Sequence, residues 1–259
     1  MTADAASPGS LITAVRRAPM QDGAMLYDAS RLSNADPTLF DTHNWIEKAG
    51  ARRTPAGRGE TIFIDHAGCS WVLRHYRRGG FMARLTVDRY LWTGEERTRA
   101  FREWRLLHEL HAAALPVPAP VAARYRRHGL TYTADLITER IAGAQPLSVL
   151  LGAGALPPAL WHAIGSCIRR FHDAGVCHAD LNAHNILIDG APRVFLIDFD
   201  RGTRRTAGAW RASNLARLKR SLEKITRDGP AGRFSTREWT AIAQAYDSRS
   251  ASPAKVTPS

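Results

Sequence analysis

The chain has 259 residues, 36 Lys+Arg against 24 Asp+Glu, a formal net charge of +12, and 44% hydrophobic residues including seven Trp. That apolar content excludes a disordered or fibrous chain and suffices for one large domain or two small lobes, while the basic excess points to anionic partners: nucleic acid, an anionic membrane face or phosphorylated substrates. Lys48, Lys219, Lys224 and Lys255 are the only lysines, so the cationic chemistry of this chain is guanidinium chemistry.

Residues 1–24 and 248–259, rich in Ala, Ser, Pro and Thr without sustained periodicity, read as weakly ordered ends. The N-terminal segment has no basic stretch ahead of an apolar one, and no run of about 18 apolar residues occurs. Neither an export signal nor a membrane span is therefore expected. Cys69, Cys167 and Cys177 are odd in number and lack CxxC spacing, which argues against a disulfide framework or structural metal and fits a reducing cytoplasm. From about Trp45 short strands are predicted, with 61–65 and 70–76 forming a hairpin around Ala67 and Gly68. Residues 95–114 carry Phe101, Trp104, Leu107 and His111 at helical spacing and end before the PVPAP break at 116–120. Strands follow at 121–126 and 131–139. A second helix is expected from Pro158, with Leu160, Trp161, Ile164, Ile168 and Phe171 on one face and Gly175 closing it. Beyond it, 185–189 and 194–198 flank a GAP turn as a small hairpin, and two helices follow around 211–225 and 236–246. Strands followed by helices predict an α+β chain. It divides into a β-rich lobe over 25–140 with one main helix and a mostly helical lobe over 141–247, between the weakly ordered 1–24 and 248–259.

The chemistry concentrates beyond Gly175. His178-Ala179-Asp180, then Asn185, then Asp198-Phe199 reproduce the spacing of the protein-kinase catalytic loop and metal-binding segment, so a bilobal protein-kinase-like fold is expected. Phosphoryl transfer requires an acceptor hydroxyl held by a carboxylate and a cation to neutralise phosphate oxygens. Asp180 is the candidate catalytic residue. Asn185 and Asp198, at the two ends of the small hairpin, are the candidate metal ligands, a hard oxygen set suited to Mg²⁺. His178 is expected to brace the loop. Kinases place a phosphate-contacting Lys on their third strand, yet no lysine occurs between residues 49 and 218. Arg74 is the candidate in its place, with Glu103 as its helix partner and Glu95 or Glu96 as outside choices, a substitution that leaves a pseudokinase open. Gly57 and Gly59 would lie in the turn over the nucleotide phosphates. The backbone of Glu139 and Ile141 would meet an adenine edge, unless 136–141 is simply an edge strand.

With these residues placed, the chain resembles the 3-deoxy-D-manno-octulosonic acid (Kdo) kinase family, which is related to lipopolysaccharide heptose kinases. The matching blocks are WVLRHYRRGG (71–80), DRYLWTGEERTRAFREWRLL (88–107), LPVPAPVAARY (115–125), ADLITERI (134–141) and CHADLNAHNILID (177–189). The resemblance implies transfer of the ATP γ-phosphate to the 4-hydroxyl of Kdo on a lipid A precursor, with Mg²⁺, at the cytoplasmic face of the inner membrane. It implies Asp180 as the active-site residue and makes an Arg at position 74 usual, which lowers the pseudokinase reading. Asp198-Phe199-Asp200 departs from the Asp-Phe-Gly of other kinases and argues against a switchable activation segment. The basic, apolar-interleaved run 74–105 suits an anionic membrane or glycolipid, with Arg77 and Arg78 as acceptor or membrane contacts; the alternative is a solvated basic loop. The competing functions are another small-molecule or sugar kinase and a non-catalytic kinase-like binding module. Asn182, where Ser/Thr kinases place a Lys, disfavours a protein acceptor. No nucleic-acid signature and no obligate protein partner are indicated.

Overall fold

The computed structural model describes residues 14–34, 36–42, 45, 52–56, 59–66, 68–77, 88–228 and 233–248. The chain divides into two compact units: Met1–Ile141 with Phe199–Arg201, and Ala142–Asp198 with Gly202–Ser259. Phe199–Arg201 groups with the first unit although it follows Asp198 directly, something that a single cut near residue 140 cannot express.

The first unit is built on an antiparallel sheet in the order β1 (Val15–Met20), β2 (Gly23–Asp28), β7 (Pro120–His128), β8 (Thr131–Glu139), β5 (Cys69–His75), β4 (Gly59–His66), β3 (Arg52–Ala56), with the short β6 (Tyr90–Leu91) also paired to β8. Over 15–24, β1 and the start of β2 correct the expectation that 1–24 is weakly ordered; residues 1–13 of that stretch lie outside the described ones. The apolar run Ala24-Met25-Leu26 is too short to register as a period, yet it is buried, and Gly23 lets β2 approach β7 so closely that a Cβ there would lie 2.0 Å from the Tyr125 carbonyl oxygen. The core on this sheet gathers Met25, Phe40, Trp45, Ile62, Ile64, Trp71, Leu73, Val121 and Ile137, each contributing roughly 1.5–3 kcal/mol by leaving water.

Helix α1 (Arg99–Ala112) packs on β7 and β8 with Phe101, Trp104, Leu107 and Leu110 buried. It is shorter than the expected 95–114. Glu95–Arg97 form a separate 3₁₀ turn after Gly94, whose φ of 110° no helix accommodates. His111, expected on the apolar stripe, is exposed, and Leu110 takes the inward position.

In the second unit α2 (Leu147–Ala153) follows the two-residue β9 (Gln145–Pro146), and α3 (Pro158–Asp173) starts with Pro at its first position, where the missing N–H costs nothing. Gly165 lets α5 (Thr236–Asp247) lie against α3: a Cβ there would sit 2.2 Å from the Ile242 carbonyl oxygen. A capping box, Ser235 with Glu238, starts α5. Between α3 and α4 (Trp210–Asp228) run β10 (Val176–Cys177), β11 (Ile186–Ile188), β12 (Val194–Leu196) and β13 (Thr203–Arg204). β11 and β12 are the expected small hairpin, its turn tied by Asp189, which accepts from Ala191 N at 3.0 Å and Arg193 N at 2.9 Å.

Candidate active site

In the second unit, β10 delivers the loop from His178 to Asn185. His178 is buried, and burial lowers its pKa, so the ring is neutral. Its Nδ1 accepts from the Asp180 N–H at 3.1 Å. The proton therefore sits on Nε2, which donates to the Ile197 carbonyl at 2.9 Å, a tautomer assigned from the hydrogen bonds. Asn214 of α4 grips the same residue from the other side, accepting from His178 N at 3.2 Å and donating to His178 O at 3.0 Å. The expected brace is thus a three-way tie between loop, β12 and α4.

Asp180 is left with a half-exposed carboxylate whose Oδ1 accepts from Arg217 Nη1 at 2.9 Å. Its backbone carbonyl receives Asn182 Nδ2 at 3.1 Å and Asn185 Nδ2 at 2.9 Å. Spending Nδ2 in this way fixes the buried Asn185 amide with Oδ1 as its remaining acceptor. Ile197 N donates to the Asn185 carbonyl at 3.0 Å, so Asp198 follows directly on the residue bonded to Asn185. Asp198 has φ 63°, a conformation that Asp tolerates better than most residues. One amide oxygen and one carboxylate suit Mg²⁺, which takes few protein ligands and completes its shell with phosphate oxygens and water. Among the described residues no three His, Cys, Asp or Glu side chains gather as a transition-metal site would require.

In the first unit Arg74 of β5 and Glu103 of α1 come together: Arg74 Nη2 lies 2.5 Å from Glu103 Oε2, and Tyr76 Oη donates to the same oxygen at 2.5 Å. Glu103 is 2% exposed. Burial beside that carboxylate pushes the Tyr76 hydroxyl well above its usual range, so it stays a donor. The outside choices are occupied elsewhere, Glu95 by Arg17 at 2.7 and 2.8 Å and Glu96 by Arg105. Asp200 accepts a two-pronged contact from Arg99, the first residue of α1, with Nε 2.7 Å from Oδ1, and Phe199 beside it is buried. Where a glycine would swivel, this chain has an anchored carboxylate.

The remaining candidates are less constrained. Gly59 pairs with Ala56 at the start of β4, while Gly57 and Arg78 lie outside the described residues. The N–H of Glu139 donates to Ala119 O at 2.8 Å and its carboxylate pairs with Arg31. Ile141 is the last residue of the first stretch of that unit, and Arg77 is exposed just beyond β5. Sequence reasoning missed Arg217, Arg99 and Asn214. Asp200 in place of Gly was a signal for a basic partner; for Arg217 and Asn214 the sequence offers none.

Comparison with known proteins agrees with this arrangement. The model of the lipopolysaccharide kinase (Kdo/WaaP) family matches residues 42–246. A 3-deoxy-D-manno-octulosonic acid kinase of Stenotrophomonas maltophilia is 45% identical over 232 residues, covering 87% of this chain and 90% of the relative. One of Photobacterium profundum is 42% identical over 222 residues, 85% of this chain and 93% of its own. One of Xylella fastidiosa is 44% identical over 228 residues, 88% and 90% respectively. With the matched region spanning both units and containing the whole run from His178 to Asp200, the chain belongs to the lipopolysaccharide kinase (Kdo/WaaP) family and is a kinase.

Proposed function

We propose that this kinase transfers the γ-phosphoryl group of ATP to the 4-hydroxyl of Kdo carried by a lipid A precursor, in lipopolysaccharide core biosynthesis. The observation that carries the reading is likeness at 42–45% identity, over at least 85% of the chain, to proteins named as kinases of that sugar acid. The intact set Asp180, Asn185 and Asp198 argues against a non-catalytic module.

Asp180 accepts the proton of the acceptor hydroxyl and aims its oxygen, a contribution of about 10²–10⁴ in rate. Asn185 and Asp198 would hold Mg²⁺, which would neutralise phosphate oxygens. Neutral His178 keeps the loop in register without giving or taking a proton. Arg74, set by Glu103 and Tyr76, offers its guanidinium to the α- and β-phosphates, and Gly57 and Gly59 are the glycines proposed to let the backbone approach them. The Glu139 carbonyl and Ile141 N–H meet the adenine edge. Arg77 and Arg78 assist in holding the acceptor or the anionic cytoplasmic face of the inner membrane. No helix among the described residues is long and apolar enough to cross a membrane, and a surface attachment is supported by the net charge and by Leu91 and Leu130, 67% and 80% exposed.

The test is Mg²⁺-dependent transfer from labelled ATP to Kdo-bearing lipid A precursor, against a heptose-bearing acceptor, free sugars and a protein. Transfer to the Kdo-bearing acceptor that falls about 10³-fold in Asp180→Asn is expected. Preference for the heptose-bearing acceptor replaces the substrate assignment, and full activity of Asp180→Asn sinks the mechanism.

A further inference from the structure

In the second unit, the residue before Asn185 borders an open surface cavity of about 460 Å³. His184 lines it from the catalytic loop, Ser148 and Val149 from the start of α2, and Ser221, Lys224 and Ile225 from α4. All three walls are tied to one loop residue, Ala183: its N–H donates to Ser221 Oγ at 3.2 Å and its carbonyl accepts from Ser148 N at 3.1 Å. Arg217, Ser221, Lys224 and Asp228 recur at i, i+4, i+7 and i+11 on α4 and so share one helix face. The first of them pairs with Asp180. Lys224 stands two turns further on, about 10 Å along the axis.

The chemistry of the lining is selective. Lys219 and Lys224 are the two lysines among the described residues. Lys219 reaches Glu223 and the Trp239 ring, whereas Lys224 has no ion pair among the described residues. Asp228, at the far end of the cavity, opposes any ligand with several negative charges. One ammonium, one carboxylate, two hydroxyls and an imidazole beside two aliphatic side chains instead suit a hydroxyl-rich ligand with a single negative charge and a small apolar face.

We propose that this cavity is the subsite for the acceptor's sugar acid, an assignment that rests on the Kdo reading above. A 3-deoxy ulosonic acid offers one carboxylate, several hydroxyls and one methylene. Lys224 binds the carboxylate; Ser148, Ser221 and Asp228 exchange hydrogen bonds with the ring hydroxyls; Val149 and Ile225 face the deoxy carbon. Ser221 uses a lone pair on Ala183 N, so its O–H proton stays available to donate. The sugar is thereby held against the loop that carries Asp180.

Steady-state kinetics with Kdo-bearing lipid A precursor, and with the same acceptor converted to its carboxamide, test the assignment. Lys224 is exposed, so its replacement leaves folding intact. Lys224→Ala is expected to raise the acceptor KM about tenfold, the size of one charge-assisted hydrogen bond. The KM for ATP stays unchanged, and Lys224→Arg recovers most of the loss. The carboxamide acceptor should penalise the wild type by a similar factor and Lys224→Ala hardly at all. An unaltered acceptor KM in Lys224→Ala, or an equal carboxamide penalty in both proteins, overturns the cavity assignment alone. A wild type that transfers nothing to the Kdo-bearing acceptor overturns the substrate reading and this subsite with it.

Discussion

In the first unit the buried carboxylates meet cations: Glu103 pairs with Arg74 and Tyr76, and Asp135 with Arg124 at 2.8 Å and His75 at 2.7 Å. Around the catalytic loop of the second unit the buried polar side chains are His172, His178, Asn185 and Asn214, which carry no charge; the Asp189–Arg193 pair at the small hairpin is that unit's exception. The two solutions answer different demands. In the role proposed for Arg74, a residue that presents positive charge to phosphates is held by a carboxylate, and a buried carboxylate is tolerable only when paired. In the proposed mechanism the catalytic loop presents one carboxylate, Asp180, and neutral bracing by His178 and Asn214 leaves its ion pair with Arg217 undisturbed.

Removing partners measures this difference. Arg74→Ala takes the guanidinium away from buried Glu103 and is expected to cost about 3–5 kcal/mol in urea unfolding. Asn214→Ala leaves one N–H and one carbonyl of His178 without their side-chain partner, for about 1–3 kcal/mol. Arg74→Lys keeps the charge and loses the planar fork, so it should fall between wild type and Arg74→Ala. If Asn214→Ala proves as costly as Arg74→Ala, the contrast between charged and neutral bracing fails.

The same contrast should appear as opposite pH slopes. His75 titrates above the ordinary histidine value because Asp135 accepts from its Nδ1, with Asp88 adding to the effect and Arg77 opposing it. The stability it contributes is complete below about pH 6.5 and is lost as pH rises through the raised value. His172, packed between Tyr246 and Trp210, is pushed down to about 4 by burial; Arg211 and Arg169 push the same way, and Asn214 and Asp173 oppose. Its neutral form contributes stability above about pH 6.5 that is lost as pH falls toward 4, at most about 3 kcal/mol. Amide exchange corrected for intrinsic rates should therefore show α3 and α5 opening more at pH 5 than at pH 7, with β5 and β8 protected at least as well at the lower pH. Equal slopes in both units would remove the distinction.

What could be read from the chain follows the same division. Asp180, Asn185 and Asp198 could be proposed because a short hairpin fixes their separation in sequence, and Arg74 because the gap between lysines left an arginine as the strand's cation, with Glu103 as the first of three acids offered as its partner. β1 and β2 could not, since a strand with three buried apolar residues makes no period and its pairing to β7 is set by residues about a hundred positions away. Arg217 sits 37 residues from Asp180 and Arg99 sits 101 from Asp200. Among 32 arginines nothing local distinguishes these two; only the fold does.

The smallest effect concerns where each unit spends its exposed apolar surface. In the first unit Leu91 and Leu130 lie side by side at the end of the β7–β8 hairpin, with Leu91 opposite Thr131 and Trp92 N 2.9 Å from the Leu130 carbonyl. Arg126 and Arg127 enter the same turn. In the second unit the exposed large apolar residue among those described is Val149, on the wall of the proposed sugar-acid cavity. If the first unit meets lipid and the second meets sugar, Leu91→Ser with Leu130→Ser should weaken binding to phosphatidylglycerol-containing vesicles by about 1–2 kcal/mol, roughly tenfold. Val149→Ser should leave vesicle binding unchanged and raise the acceptor KM. The flanking arginines favour headgroups at the hairpin, and the hydroxyls of Ser148 and Ser221 favour a sugar in the cavity, so the reverse pattern would overturn both assignments.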